Sequence, residues 1–230
     1  MKYFATAFLI CISMNTLHSQ TYEIGGFVGG ANYIGDVGPT NYIAPNDLAV
    51  GAMFRWNRSE RHSFRVSAIF ASLQSDDANS DEQRRNERGY SFKNSVKEFS
   101  LGIEYTFWKF DVHSSSPQSA PYLYTGITYF NYNSLFLERN NEIEKYGTDW
   151  EFAIPMVVGY KATVGRHMVL GFEIGARYTF TDNLDGSFPT GEKEGNPNLR
   201  FGNINSNDWY VFTGINIMFT FGRLPCYCSF

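Results

Sequence analysis

The chain has 230 residues, is 43% hydrophobic and 17% aromatic, and carries 19 basic against 23 acidic residues, a formal net charge of −4. No apolar run reaches the roughly twenty residues that a membrane-crossing helix needs, and the weakly acidic balance gives no footing for nucleic acid. Two of the three cysteines, Cys226 and Cys228, lie in the last five residues, so neither a disulfide framework nor a Cys/His zinc constellation is present.

The N-terminus reads as an export signal: Lys2, an apolar stretch over residues 3–14, then small and polar residues, with cleavage expected after Ser19. Bulky Ile10 argues against a lipoprotein site at Cys11. Losing Lys2 leaves 18 basic against 23 acidic residues, so the mature charge is near −5. The expected organisation is a signal over 1–19, a barrel over 20–222 and a tail over 223–230.

The first strand, residues 22–33, is rich in glycine (Gly25, Gly26, Gly29, Gly30). No helix pattern or Lys-Ser/Thr follows, so these glycines read as a bending strand and not as a phosphate loop. Residues 33–47 are loop-like. The second strand, 48–56, sets Leu48, Val50, Ala52, Phe54 and Trp56 on one face, and a polar turn over 57–62 follows. The third, 63–73, alternates Phe64, Val66, Ala68 and Phe70 against Arg65, Ser67 and Ala71. Residues 74–94 are dense in mixed charge without a sustained apolar pattern, which reads as a solvated loop.

The fourth strand, 95–110, sets Phe99, Leu101, Ile103, Tyr105 and Phe107 against Ser100, Gly102, Glu104 and Thr106. A Ser-rich connection over 111–120 leads to an aromatic fifth strand, 121–132, and residues 133–151 read as a polar loop. The clearest hairpin follows. Its first arm, 154–164, passes through Gly165-Arg166-His167 into a seventh strand over 168–180. That strand places Met168, Leu170, Phe172, Ile174, Ala176, Tyr178 and Phe180 opposite Val169, Gly171, Glu173, Gly175, Arg177 and Thr179. Pro155 would remove a ladder donor, so the sixth strand is expected to start at Met156 or to bulge there. A Gly-, Pro-, Asn- and Asp-rich loop over 181–207 precedes the last strand, 208–221.

Eight strands with connections alternating between long and short predict an all-β, antiparallel up-and-down transmembrane barrel with short periplasmic turns and long external loops. The strands are also long enough: a membrane-crossing strand needs about nine to eleven residues against the usual five or six. A soluble lipocalin-like carrier shares the signal, the strand number and the alternation. Two features favour the membrane. Bulky residues occupy one face while Gly, Ala, Ser and Thr crowd the other, as the narrow interior of eight strands requires. The four tryptophans fall at strand ends, with Trp56 and Trp108 at the periplasmic rim and Trp150 and Trp209 at the external rim. Arg55, Arg65, Glu104, Glu173 and Arg177 then face inward, joined by Lys161 and Glu23, as a neutralising cluster that leaves no open pore.

Chemistry finds little support. A lipid-modifying barrel enzyme needs a nucleophile and base at the external side, but His62, His113 and His167 all fall in the short turns. Asp182 and Asp185 in TDNLDG lack EF-hand spacing and suit an Asx turn better. No catalytic, cofactor or metal residue is assigned.

Four blocks together resemble one family: EIGGFVGGANYIGDVG (23–38), PYLYTGITYFNYN (121–133), GYKATVGRHMVLGFEIGARYTFTDNLDG (159–186) and NDWYVFTGINIMFTFG (207–222). They are similar to PorG, the outer-membrane barrel of the type IX secretion system of Bacteroidota. The resemblance implies a non-enzymatic part in moving cargo across the outer membrane, in association with a periplasmic ring formed by a lipoprotein and its partner protein. The expected docking surface is Cys226 and Cys228 of the tail with Arg166, His167 and the turns over 57–62 and 111–120. The two cysteines could pair with each other, pair with a partner, or stay reduced.

Overall fold

Eight runs of alternating residues close on themselves as an antiparallel barrel with strand order β1 to β8. The computed structural model describes residues 21–137, 143–190, 199–203 and 205–222. Among them β1 spans Thr21–Ile34, β2 Asp47–Asn57, β3 His62–Asp76, β4 Ser91–Thr106, β5 Ser119–Leu137, β6 Ile143–Val164, β7 Met168–Thr179 and β8 Trp209–Phe221. Each strand pairs with the next, and β8 closes on β1 from Tyr22↔Phe221 to Ile34↔Trp209, so no sheet edge remains along this seam.

Side-chain parity sorts the two faces. Ile127 is 63% exposed, Leu101 55% and Phe172 50%, whereas Arg55, Arg65 and Arg177 are buried inside. The exterior is therefore a sheath of Phe, Leu, Ile, Val and Tyr, and the charge lies within. The interior is not made of small residues alone: Tyr122, Tyr124, Phe130, Tyr210 and Phe212 also fill it. Glycine opposite these rings makes the room. A Cβ on Gly159 would lie 2.4 Å from the Tyr122 ring, and one on Gly102 would lie 2.1 Å from the Thr125 carbonyl oxygen.

Several boundaries differ from the sequence reading, each for a physical reason. β4 starts four residues earlier than expected and stops at Thr106, leaving Phe107 and Trp108 beyond the strand. Residues 133–151 are largely not a loop: β5 and β6 continue as a paired hairpin to Leu137↔Ile143, with a bulge between Ser134 and Leu135. Its polarity reflects strands that project past the apolar sheath, which places Trp150 inside a strand. Pro155 neither starts nor bulges β6. The strand runs through it, and the β5 ladder omits the two positions opposite Ile154 and Pro155, where a donor would be missing.

The charged stretch over 74–94 is also ordered. β3 extends to Asp76, a 3₁₀ turn spans Asp77–Asn79, and a short helix, α1, covers Gln83–Arg88. Arg85 and Arg88 supply the order: Arg85 Nη1 donates to the carbonyls of Gly35 (2.9 Å) and Gly38 (2.7 Å), and Arg88 Nη2 donates to that of Asp36 (2.7 Å). At the opposite end the β4–β5 connection folds back, with Phe110 N donating to Glu60 O and the Phe110 and Val112 side chains buried.

Candidate functional site: the filled lumen and its outer cap

Three ionic tiers occupy the lumen. Nearest the end where β1 begins and β8 finishes, Arg55 donates to Glu23 (2.5 Å) and to Glu104 (3.0 Å), while Lys161 donates to the second oxygen of Glu104 (2.7 Å). In the middle, Arg65 makes a two-pronged contact with Glu173, 2.8 Å on each arm, and Tyr122 donates to the same carboxylate at 2.7 Å. Towards the long-loop end, Arg177 donates to both oxygens of Glu98 (3.2 and 3.0 Å), and Tyr210 donates at 2.8 Å. Rings flank the cations: Arg65 lies 4.5 Å from the Tyr124 centroid, Arg177 4.3 Å from Phe212, and Lys161 4.7 Å from Phe110.

These tiers contain four cations (Arg55, Arg65, Lys161, Arg177) and four carboxylates (Glu23, Glu98, Glu104, Glu173), so the network is neutral. Buried charges persist only when paired and hydrogen-bonded; each of these eight groups has an oppositely charged partner, and only Arg55 Nη2 and Arg65 Nε among their buried nitrogens make no hydrogen bond. Glu98 was missing from the sequence reading, although it shares parity with Ser100 and Glu104. The network can hold strands in register. It offers no row of free charges along which an ion could pass.

The long loops form a cap over the mouth at their end of the barrel. Asp77 is buried, and although burial pushes its carboxyl up, hydrogen bonds from Arg88 (2.7 and 2.9 Å) and the backbone of Gly38 and Tyr90 hold it below the ordinary carboxylate range. Tyr90 packs on Phe201 with centroids 5.1 Å apart, joining this loop to the last one. Beneath them the Tyr33 hydroxyl contacts Asp185 (2.7 Å) and Asp208. One phenolic proton cannot serve both acids. Burial and then the charge of Asp185 push the Asp208 carboxyl well up, and burial raises Asp185 as well. Burial, then Asp36 and Asp185, raise Asp182 to about 7. Asp185 accepts from Ser187 N at 2.8 Å, an Asx turn. Among the described residues no three His, Cys, Asp or Glu groups are placed to hold a metal ion.

The residues expected at the docking surface divide. Arg166 and His167 lie exposed in the β6–β7 turn, where Gly165 adopts φ +71°. Arg58, Arg61 and Lys109 are exposed at the same end. Cys226 and Cys228, with the rest of 223–230, and the segment over 1–19 expected to be an export signal lie outside the described residues. His62 and His113 also sit at this end, far from the cap. A separate cleft of about 730 Å³ opens at the long-loop end, where β4 and β5 part beyond Lys97↔Asn131.

Solved structures with similar backbones are outer-membrane proteins. The attachment invasion locus protein Ail of Yersinia pestis aligns at 9% identity over 89% of this chain and 100% of its own, with a TM-score of 0.47. The N-terminal β-barrel domain of Pseudomonas aeruginosa OprF aligns at 12% identity over 87% and 97%, TM-score 0.45. A major outer membrane protein from Thermus thermophilus aligns at 12% over 89% and 100%, also 0.45. A search of the curated proteins finds no match. The family model described as a domain of unknown function, DUF6089, matches residues 1–230 throughout, and the chain belongs to that family.

Proposed function

We propose that the protein is an integral outer-membrane barrel of the type IX secretion machinery, acting as a fixed anchor for a periplasmic ring and neither as a pore nor as an enzyme. One observation carries this reading: a cylinder coated with exposed apolar side chains whose centre is filled by four matched ion pairs' worth of charge. An apolar sheath of this kind suits lipid, since a basic residue facing the bilayer midplane costs about 2–4 kcal/mol. A filled lumen leaves the two ends as the working surfaces. The short-turn end offers Arg58, Arg61, Lys109, Arg166 and His167 to a partner, and in sequence the segment with Cys226 and Cys228 comes after β8, which ends at this side. The partners in this reading are the ring lipoprotein and its companion protein, and the resemblance in sequence supports them.

Crosslinked pull-down from intact envelopes tests the proposal. The barrel should fractionate with outer membranes and bring down ring proteins. R166E/H167E and C226S/C228S variants should recover less of them at equal barrel abundance. Recovery of the barrel in the soluble periplasmic extract would overturn the membrane assignment, and undiminished ring recovery by both variants would overturn the docking surface.

A further inference from the structure

The exterior of the barrel at its long-loop end carries charge where the apolar sheath stops. Lys93 and Lys97 lie four residues apart on the outward face of β4, and Lys145 is exposed on β6 across the cleft. Just below them the sheath resumes with Phe99 and Leu101 on β4 and Ile127 on β5, all more than half exposed. Beside them Tyr129 stacks on Trp150 with centroids 4.9 Å apart at 18°, and meets Phe152 at 4.9 Å with the rings tilted by 40°. Aromatic clusters of this kind settle at the boundary between hydrocarbon and head groups. The lysines therefore sit at head-group level.

Among the described residues, two of the three ammonium groups have no counter-charge. Lys93 pairs with Asp47 at 3.2 Å while remaining 67% exposed. Lys97 and Lys145 make no hydrogen bond or ion pair among the described residues; opposite Lys97 stand neutral Phe70 on β3 and Asn131 on β5. Lys93 and Lys145 line the 730 Å³ cleft together with the amides Asn46, Gln74, Asn79 and Asn133 and one carboxylate, Asp76, while Lys97 stands on β4 beside it. That volume falls within the range of small-ligand sites. Amides both donate and accept, which matches sugar hydroxyls, and ammonium groups bind phosphate as point charges.

We propose that this wall binds one phosphorylated, acylated saccharide of the outer leaflet. Its phosphates meet Lys93, Lys97 and Lys145, its sugar enters the amide-lined cleft, and its acyl chains lie along Phe99, Leu101 and Ile127. The inference rests on the outer-membrane reading given above. It concerns the opposite end of the molecule from the docking turns.

Native mass spectrometry of the folded barrel in detergent tests it, with bis-phosphorylated lipid A as the probe and dephosphorylated lipid A, phosphatidylglycerol and inorganic phosphate as comparison arms. One lipid A should be retained in preference to all three. A lysine near a charged lipid surface contributes about fivefold, so K93Q/K97Q/K145Q should weaken retention by about a hundredfold, and K97E alone should weaken it if the triple variant does not fold. R58Q/R61Q, at the other end, should retain lipid A as the parent does. Undiminished retention by the lysine variants, or equal retention of phosphatidylglycerol, would overturn the proposal. Envelope fractionation separates the two readings: a barrel in the outer membrane without lipid A retention defeats this site alone, whereas a soluble barrel defeats the membrane reading.

Discussion

The Arg65–Glu173 pair is the sharpest place to test whether the lumen is held by matched charge. Both side chains are almost fully buried, and Glu173 accepts from Arg65 twice, from Tyr122 and from Asn216 (3.2 Å). Glu173→Leu would leave the Arg65 guanidinium buried without a counter-ion, a change that costs about 3–5 kcal/mol. The Tyr122 hydroxyl would lose its acceptor as well, about a further 1–3 kcal/mol if no water replaces it. Arg65→Leu/Glu173→Leu removes the stranded charge with its partner, and should recover at least half of the loss despite the orphaned tyrosine. Urea unfolding of the barrel refolded in lipid vesicles, followed by tryptophan fluorescence and by heat-dependent migration in gels, measures both. A single variant within about 1 kcal/mol of the parent, or a double variant no more stable than the single, would refute the idea that buried charges here are locked by pairing.

Other perturbations separate the faces and the cap. Leu101→Arg places a cation on the sheath and should lose about 2–4 kcal/mol in bilayers, read as a lowered urea midpoint in vesicles; a soluble barrel would tolerate it. Gly102→Ala drives a Cβ to 2.1 Å from a backbone oxygen and should cost about 1–3 kcal/mol, whereas Gly147→Ala meets nothing within 4 Å and should stay within about 0.5 kcal/mol, both by the same unfolding assay. Asp182, Asp185 and Asp208 have folded pKa values raised by burial, so their neutral forms favour the closed cap. The Asp182 contribution is complete below about pH 4, the unfolded carboxylate value, and is lost as pH rises through about 7; that of Asp77, whose carboxyl is held low by Arg88, is lost only as pH falls below the ordinary carboxylate range, so the cap should be tightest in mildly acid solution. Faster amide exchange at Leu184 at pH 8 than at pH 5, after correction for intrinsic rates, would show it, and Asp208→Asn should flatten the change.

The parts of this fold that were legible in the sequence are those where the two environments differ most. Along β7 every inward position is small or charged except Val169, and every outward one except Ala176 is bulky, so period 2 stands out. β5 offers no such contrast: Tyr122, Tyr124 and Phe130 point in while Leu123, Ile127 and Tyr129 point out. Composition alone cannot tell its faces apart. Beyond the sheath both faces meet water or loops, alternation by hydropathy fades, and the upper β5–β6 hairpin reads as a loop for that reason. The cap lay further out of reach, because Tyr33 meets Asp185 and Asp208 across 152 and 175 residues of sequence. Local pattern contains no trace of such pairings.

The distribution of charge links stability to the proposed work of the molecule. A barrel meant to conduct needs an interior where ions exchange water for weakly held ligands. Here each buried cation has a carboxylate within 3.2 Å, and aromatic rings close the remaining space beside most of them. Opening a path would require breaking several such pairs at once, each at a cost of about 3–5 kcal/mol, which is comparable in sum to the whole stability of a typical domain. Binding energy from a partner at either rim therefore has no soft core to act upon, and the barrel transmits position more readily than it changes shape. Such rigidity fits the anchor proposed above, in which any moving part would belong to the proteins and lipids proposed for its two ends.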